Sequence, residues 1–435
     1  MDVKISKYNF VFPFCDSSEH EPQRVLYNSR TGSLALIEEE KFRIFEEFAN
    51  SSKPIDDQEL LNNLKMGGFV IDASLNELDL LRLNLLQSRF DKSTFSLTIA
   101  PTSNCNFRCV YCYEKDSIQP ITMSVETQDS LMGFVESNLH GVAKFTVSWY
   151  GGEPLLAMGI IERLTSYFLT LCDERNILYS ADIVTNGYLL NNQIVDRLVA
   201  MKISNIQVTL DGAAEDHDLR RPLVGGLPTF KRIMDNLCLL KERSDISIAI
   251  RINADKHNID RVDQIVNILK ENGLSKITRP YLAMVENLNG TYNDNSCFHT
   301  NEFSLIMYNF VLRNKLNPME YIPVQITNYC GADFMGSYVV NADGRLYKCW
   351  CDMGIREKSI GSVSEGVEKY DMLCSYMLYD ATEDDECSKC KYLPICMGGC
   401  PFLRLTQSSL RCSQMRHSLA AFMDVIPSLL SNQAN

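Results

Sequence analysis

Residues 95–112 read FSLTIAPTSNCNFRCVYC, a strand-like stretch over 95–102 that runs directly into Cys105, Cys109 and Cys112. Working outward, five more strand-like stretches follow at 144–150, 181–185, 205–210, 247–253 and 276–283. Helical patterns separate them at 124–140, 160–175, 191–201, 229–242 and 258–272. Ser124 with Thr127 and Gln128 marks a helix start, and Gly273 a helix stop. Strands alternating with helices predict parallel βα units with right-handed crossovers. Six units fall short of a closed eight-fold barrel, so the expected fold is α/β, with an open, partial (β/α)6 TIM-like barrel over 94–284.

The C-x3-C-x2-C spacing carries chemistry. Three thiolates hold a 4Fe–4S cluster while one iron keeps no protein ligand. That iron can take a cofactor, as the open position of a catalytic zinc does. A structural zinc knot is the alternative, but it wants a fourth Cys or His close by, and none follows within the next twenty residues. The other strand ends agree. Gly151-Gly152-Glu153-Pro154 follows the second strand, Thr185-Asn186-Gly187 the third and Leu210-Asp211-Gly212 the fourth, while Arg251 and Asn253 close the fifth. The C-terminal ends of barrel strands converge, so these loops are expected to face one cavity with the cysteines. The two glycines admit close backbone approach to a ligand, and Glu153 offers a carboxylate to a cationic amine.

Composition narrows the class. A formal charge of −13 in 435 residues argues against nucleic-acid binding, which needs clustered Lys and Arg. No basic segment with an apolar core and cleavage site opens the chain, and no run of about 18 apolar residues occurs, so neither export nor a membrane span is expected. Sixteen cysteines without an export signal point to metal binding or catalysis in the cytoplasm rather than to disulfides. Ten of them fall in tight groups; Cys15, Cys172, Cys238, Cys297, Cys351 and Cys374 are scattered.

Cys330 is followed by thirteen residues, Gly344, four more and Cys349; Cys387, Cys390, Cys396 and Cys400 then form C-x2-C-x5-C-x3-C, with Cys412 beyond. Four clustered thiolates also suit a zinc ribbon. This region, 321–435, is otherwise poor in periodicity, and metal ligation would have to organise much of it. Residues 285–320 bridge it to the barrel, with a helix around 303–312. Residues 1–93 show a hairpin, 24–27 and 33–37 about Thr31-Gly32. Three short helical patterns follow, marked by Phe42, Phe45 and Phe48, by Leu60, Leu61 and Leu64, and by Leu78, Leu81 and Leu85. Together they suggest a small winged-helix-like module.

With Tyr111 as its aromatic, C-x3-C-x-aromatic-C resembles the signature of the radical S-adenosylmethionine superfamily. The resemblance implies that the methionyl amine and carboxylate chelate the open iron, and that one-electron reduction cleaves the cofactor to a 5′-deoxyadenosyl radical. It also implies cofactor binding by Tyr111, by Gly151, Gly152, Glu153 and Pro154 toward the amine, and by Asn186, Thr209, Arg221 and Asn253 toward ribose and carboxylate. The C-terminal seven-cysteine order is similar to the SPASM extension of peptide-modifying radical enzymes, which carries two auxiliary 4Fe–4S clusters, three clusters in all. Carried over by position, Cys387, Cys390, Cys396 and Cys412 ligate the outer cluster, and Cys330, Cys349 and Cys400 the inner one. Fully ligated relatives have another cysteine soon after the first, but residues 331–348 contain none. Either the inner cluster keeps an open iron for a substrate thiolate, or Cys351 is the fourth ligand.

By the same resemblance, the N-terminal module is a recognition element that binds the leader of a precursor peptide as an added strand, with the core peptide in the barrel. A purely structural lid is the alternative. The expected function is maturation of a ribosomally made peptide, forming a thioether or a carbon–carbon cross-link, with a reducing partner such as a flavodoxin or ferredoxin. No residue stands out as a general base. An anaerobic sulfatase-maturating enzyme is the nearest alternative, although those relatives place an Asp directly after the cysteine where this chain has Trp350. A non-catalytic iron–sulfur or zinc protein that binds peptides or senses redox state is the alternative from another class.

Overall fold

Phe95, Leu97 and Ile99 are buried, and Thr94, Ser96 and Thr98 between them are half-buried. In the computed structural model, which describes residues 2–14, 23–51, 53–115, 120–407 and 412–433, that alternation recurs across the parallel sheet and decides its character. The chain gathers into two compact units. One comprises residues 1–89, 300–330 and 378–435, and the other 90–299 and 331–377.

The first unit begins with β1 (Val3–Ile5), β2 (Asn9–Phe14), β3 (Gln23–Asn28) and β4 (Leu34–Glu38). Next come α1 (Glu39–Ser51), α2 (Gln58–Met66), β5 (Val70–Asp72) and α3 (Glu77–Arg89). β2, β3 and β4 form an antiparallel sheet in that order, and β1 pairs with β5. The expected hairpin is therefore two strands of a three-stranded sheet. Phe42, Phe45 and Phe48 make the apolar stripe of α1, which packs with Leu60 and Leu64 of α2 onto Leu26 and Ile37. Asp57 caps α2, its carboxylate accepting from the Leu60 amide at 3.0 Å.

The barrel strands β6 (Thr94–Ile99), β7 (Lys144–Trp149), β8 (Leu178–Thr185), β9 (Ile203–Thr209), β10 (Ser247–Ala254) and β11 (Thr278–Met284) pair in sequence order, all parallel. The helices between them are α4 (Val125–Asn138), α5 (Met158–Arg175), α6 (Asn192–Ala200), α7 (Ala214–Arg220), α8 (Phe230–Leu239) and α9 (Asp263–Glu271). Phe145, Val147, Ile183, Ile206, Val208, Ile248 and Ile250 are buried on one face. The other face carries Thr146, Ser180, Asp182, Asn205, Gln207 and Ser247 and lines a cavity of about 410 Å³. An all-parallel sheet is usually apolar on both faces; this one keeps a polar lumen because its barrel is open. One segment, Pro154–Arg175, is apolar and long enough to cross a membrane. It is α5 with its lead-in turn, and Ile161, Leu164 and Phe168 in it are fully buried.

Beyond β11 the fold departs from the linear division expected at 285 and 321. α10 (Thr300–Arg313) belongs to the first unit. β12 (Ser337–Val340) returns to pair parallel with β6, and β13 (Arg345–Tyr347), β14 (Gly361–Ser362) and β15 (Gly366–Val367) extend the same sheet antiparallel. An open barrel leaves the outer edge of its first strand unpaired, and β12 covers that edge. After α11 (Tyr370–Met377), the chain continues in the first unit with α12 (Leu393–Cys396), α13 (Pro401–Thr406) and α14 (Met415–Gln433). Leu419, Phe422 and Met423 of α14 and Val311 of α10 pack on Phe14, Val25 and Tyr27, so the small N-terminal sheet has helices on both faces. The C-terminal segment thus shares an apolar core with the N-terminal sheet.

Candidate active site

The loop after β6 owes its shape to backbone pairing with residues 220–224. Arg108 and Val110 donate to the carbonyls of Pro222 and Arg220 at 2.8 and 2.9 Å, and Val224 donates to Asn106 at 2.8 Å. Held this way, Cys105, Cys109 and Cys112 lie half-buried, and Cys105 and Cys112 each sense the charge of the other two or of Cys109 between them. Burial pushes the Cys105 and Cys112 thiols up to about 12. It raises Cys109 as well, against the opposing Arg221 guanidinium. Thiols in this setting become thiolates only against a bound cation.

Tyr111 sits at the centre of a polar network. Its hydroxyl pairs with Asp211 and accepts from Arg221 Nη1 at 2.9 Å and Asn253 Nδ2 at 3.0 Å. Arg220 lies between two fully buried carboxylates, 3.2 Å from Asp211 and 2.8 Å from Asp255. Tyr292 donates to Asp255 at 2.8 Å, and Asn258 donates to the Asp211 carbonyl at 2.7 Å. The sequence reading named Tyr111, Arg221 and Asn253, which the fold joins, but missed Arg220, Asp211, Asp255 and Asn258. The adjacent Arg220-Arg221 pair opposite Leu210-Asp211-Gly212 was the available signal. Thr209 ends β9 in register with Arg251, whose Nε donates to Asn253 Oδ1 at 2.8 Å.

The GGEP turn works differently from expectation. A Cβ on Gly151, at φ +106°, would meet the Thr102 carbonyl at 2.6 Å, and one on Gly152 would meet the Asn104 carbonyl at 2.3 Å. The amides of Gly152 and Glu153 donate to those same carbonyls at 3.1 and 2.8 Å. The glycines therefore let this turn pack on the backbone just before Cys105. Glu153 was expected to hold out a carboxylate, yet it is fully buried. Its oxygens accept from the Leu155 amide at 3.1 Å, Thr185 Oγ1 at 2.7 Å and the Asn186 amide at 2.7 Å. Pro154 starts the short helical turn that Glu153 caps. Asn186 then donates to Asn106 Oδ1 at 2.7 Å, closing a ring of contacts from β7 through β8 to the cysteine loop.

In the first unit, Cys387 senses Cys396, and Cys396 senses Cys412 and Cys390. Met397, Gly398 and Gly399 all have positive φ, folding the chain sharply between Cys396 and Cys400. Arg416, the second residue of α14, donates to Cys412 Sγ at 3.0 Å. Cys330 and Cys400 belong to this unit as well, and Cys349 and Cys351 to the barrel unit. Cys15 lies outside the described residues. Among the described residues, no three His, Cys, Asp or Glu side chains close on a single point. The all-thiol donor sets and the half-buried placement of Cys105, Cys109 and Cys112 fit iron–sulfur clusters.

Residues 99–252 match the Radical SAM superfamily, so the chain carries a radical S-adenosylmethionine domain. Among its relatives is the cysteine-type anaerobic sulfatase-maturating enzyme of Clostridium perfringens strain 13, 25% identical over 381 residues, covering 78% of this chain and 98% of that one. Two solved structures share the fold. Native anSMEcpe with bound AdoMet and Cp18Cys peptide aligns with a TM-score of 0.60 at 21% identity, over 79% of this chain and all of that one. Streptococcus suis SuiB bound to precursor peptide SuiA aligns with a TM-score of 0.55 at 14% identity, over 95% and 99%. The expected α/β partial barrel with a cysteine-rich C-terminus stands, and the non-catalytic alternative is set aside.

Proposed function

We propose that this enzyme matures a ribosomally made peptide: one residue loses a hydrogen atom to a 5′-deoxyadenosyl radical, its carbon couples to a Cys sulfur or to another side-chain carbon that gives up its proton, and an auxiliary cluster takes the remaining electron. Cys105, Cys109 and Cys112 would hold the catalytic cluster, and with S-adenosylmethionine bound it supplies a 5′-deoxyadenosyl radical. The observation that carries this reading is the half-buried three-thiol loop that directly follows β6, at the C-terminal end of the parallel sheet. Backbone around Gly152 and the Tyr111–Arg221–Asn253 group would orient the cofactor; Arg221 supplies a cation for its carboxylate. Glu153 acts at one remove, by fixing the loops after β7 and β8. The lumen, lined by Thr146, Asp182, Asn205 and Gln207, offers hydrogen bonds to a peptide that an apolar barrel core would not.

The leader would add to β4. β2 and β4 are the two edges of the N-terminal sheet, and Pro13 blunts β2, since a strand proline is tolerated where its nitrogen faces outward. β4 contains no proline. The outer set, Cys387, Cys390, Cys396 and Cys412, all in the first unit, would hold an auxiliary cluster. A small electron-transfer protein such as a flavodoxin or ferredoxin would provide reducing equivalents in the cytoplasm.

Anaerobic reconstitution with dithionite and S-adenosylmethionine should yield 5′-deoxyadenosine, and the Cys105→Ala, Cys109→Ala, Cys112→Ala variant should yield none. Co-expression with a short cysteine-bearing open reading frame beside the gene should give a product lighter by two hydrogen atoms per cross-link; an unmodified mass under anoxic, reducing conditions would sink the cross-linking claim. The sulfatase-maturating relative favours a second reading, oxidation of a sulfatase Cys to formylglycine. A sulfatase-type peptide that gains an aldehyde, trapped with a hydrazide, would decide for it.

A further inference from the structure

The polar face of the parallel sheet carries one layer of side chains at a common height. Ser148 is in register with Asp182, Asp182 with Asn205, and Asn205 with Ser247, so the layer crosses β7 to β10. Ser148 Oγ donates to Asp182 Oδ1 at 2.5 Å, while Oδ2 has no hydrogen-bond partner among the described residues. Of the residues that line the cavity of about 410 Å³, Asp182 alone is ionisable. The next layer leaves room above it. Val184 and Ala249 are short, and Gln207 between them is held by Tyr281, whose hydroxyl donates to its Oε1 at 2.7 Å.

Among the described residues, no basic side chain pairs with this carboxylate, although three share its face of the sheet. Lys144 starts β7 level with Leu178, four residues before Asp182 and about 13 Å away along the strands. Arg251 stands level with Thr209, and its Nε donates to Asn253 Oδ1 at 2.8 Å. Arg279, level with Ala249, turns its Nη1 back to the Thr278 carbonyl at 3.0 Å. Burial raises the Asp182 pKa above the ordinary 3.8, against the opposing Ser148 bond. The barrel thus draws a carboxylate partly out of water without supplying a counter-charge, which is costly. Asp211 and Asp255 differ, since Arg220 pairs with both.

We propose that Asp182 binds the cationic end of a Lys or Arg side chain of the peptide substrate. This rests on the reading of the chain as a peptide-modifying enzyme. Asp182 lies three residues before Thr185, the last residue of β8, a depth of about 10 Å. At that strand end, Thr185 and Asn186 donate to Glu153, and Asn186 also donates to Asn106 of the cysteine loop. A long, flexible side chain spans the depth while its backbone stays near the strand ends. Ser180, Asn205 and Ser247 line the same cavity and offer acceptors for the remaining N–H groups. The cavity falls within the roughly 300–1,000 Å³ of ordinary ligand pockets. The formal charge of −13 also favours the approach of a cationic peptide over an acidic one.

The test titrates the capped tripeptides acetyl-Gly-Lys-Gly-amide and acetyl-Gly-Gln-Gly-amide into the anaerobically reconstituted chain, with binding read by saturation-transfer difference NMR. The Lys peptide should bind about tenfold more tightly than the Gln peptide, as a charge-assisted hydrogen bond implies. Asp182→Asn keeps an acceptor for Ser148, so it should not lower the unfolding midpoint, and it should abolish the preference. Ala249→Leu fills the space above the layer and should weaken both peptides. Equal affinities in the unaltered protein, no binding of either peptide, or a Lys preference that survives Asp182→Asn each overturn the proposal. Binding of n-butylammonium as tight as that of the Lys peptide assigns the site to a free amine and overturns the peptide source. 5′-Deoxyadenosine formation from S-adenosylmethionine and dithionite is measured on the same batches. A batch that forms it without showing a Lys preference overturns this inference alone; none formed at full iron loading overturns the catalytic reading beneath it.

Discussion

Arg221 donates to the hydroxyl of Tyr111 at 2.9 Å across 110 residues of chain. One end of this contact lies in the loop between Cys109 and Cys112, and the other follows α7. The bond ties the cluster loop to the far strands of the sheet, and Asn253 and Asp211 complete the tie on the same oxygen.

Tyr111→Phe should therefore loosen the cofactor site from within. It strips a partner from two buried donors and one carboxylate, at a cost of about 1–3 kcal/mol for each group left unsatisfied. The expected result is weaker S-adenosylmethionine binding, by roughly tenfold, together with a lower unfolding midpoint. Anaerobic equilibrium dialysis and denaturant titration measure the two.

Arg220→Met should cost more. It leaves Asp211 and Asp255 buried without their cation, and breaking a buried pair costs about 3–5 kcal/mol. Arg220→Lys should recover little, because an ammonium cannot fork between two carboxylates. Burial pulls the Asp255 carboxyl upward, but Arg220, Tyr292 and the His257 amide outweigh it, so its pKa lies below the ordinary 3.8. The stability this group contributes is present above pH 3.8 and lost as pH falls from there toward the folded pKa. Unfolding free energies of the two variants check the order.

His217 supplies a pH dependence of its own. Burial first, and then the Arg221 and Arg220 charges, push its pKa well below 6.5. The folded protein keeps the ring neutral while the unfolded chain protonates it, so stability falls as pH drops below 6.5. The Asp211 amide donates to its Nδ1 at 3.3 Å, a role that Gln can share. His217→Gln should flatten the decline between about pH 7.5 and about pH 5.5, as read by denaturant unfolding.

Glu153→Gln tests whether this side chain positions loops or holds the cofactor amine. An amide nitrogen in place of one oxygen faces a donor, either the Asn186 amide or the Leu155 and Thr185 pair, and costs about 1–3 kcal/mol. Cofactor affinity and thermal stability should fall together. Loss of affinity with an unchanged unfolding midpoint would return Glu153 to direct contact with the amine.

At the outer set, Arg416→Gln removes both a positive charge and the N–H···S bond to Cys412. Hydrogen bonds to sulfur and local charge help set cluster potentials. The midpoint of the cluster proposed there should move to more negative values, measured by redox titration followed by electron paramagnetic resonance, with iron content unchanged.

The strand–helix alternation, the thiol spacings and the apolar stripes of α1 to α3 were all readable along the chain, because each depends on residues a few positions apart. β12 was not, since a four-residue strand takes its meaning from the barrel edge it covers. The helices α10 and α14 were hard to place for a similar reason: the N-terminal sheet they pack on is remote in the chain. In the candidate site, sequence alone singled out the proposed donors, Cys105, Cys109 and Cys112, and the aromatic between them. Only the tertiary structure decided what holds them. Gly151 and Gly152 turned out to face the cysteine loop, Glu153 to be spent inside the protein, and Arg220 to join two acids. Hydrogen bonds and ion pairs act over about three ångströms whatever their separation in sequence, so the partners of a buried polar group emerge only when distant strands are brought side by side.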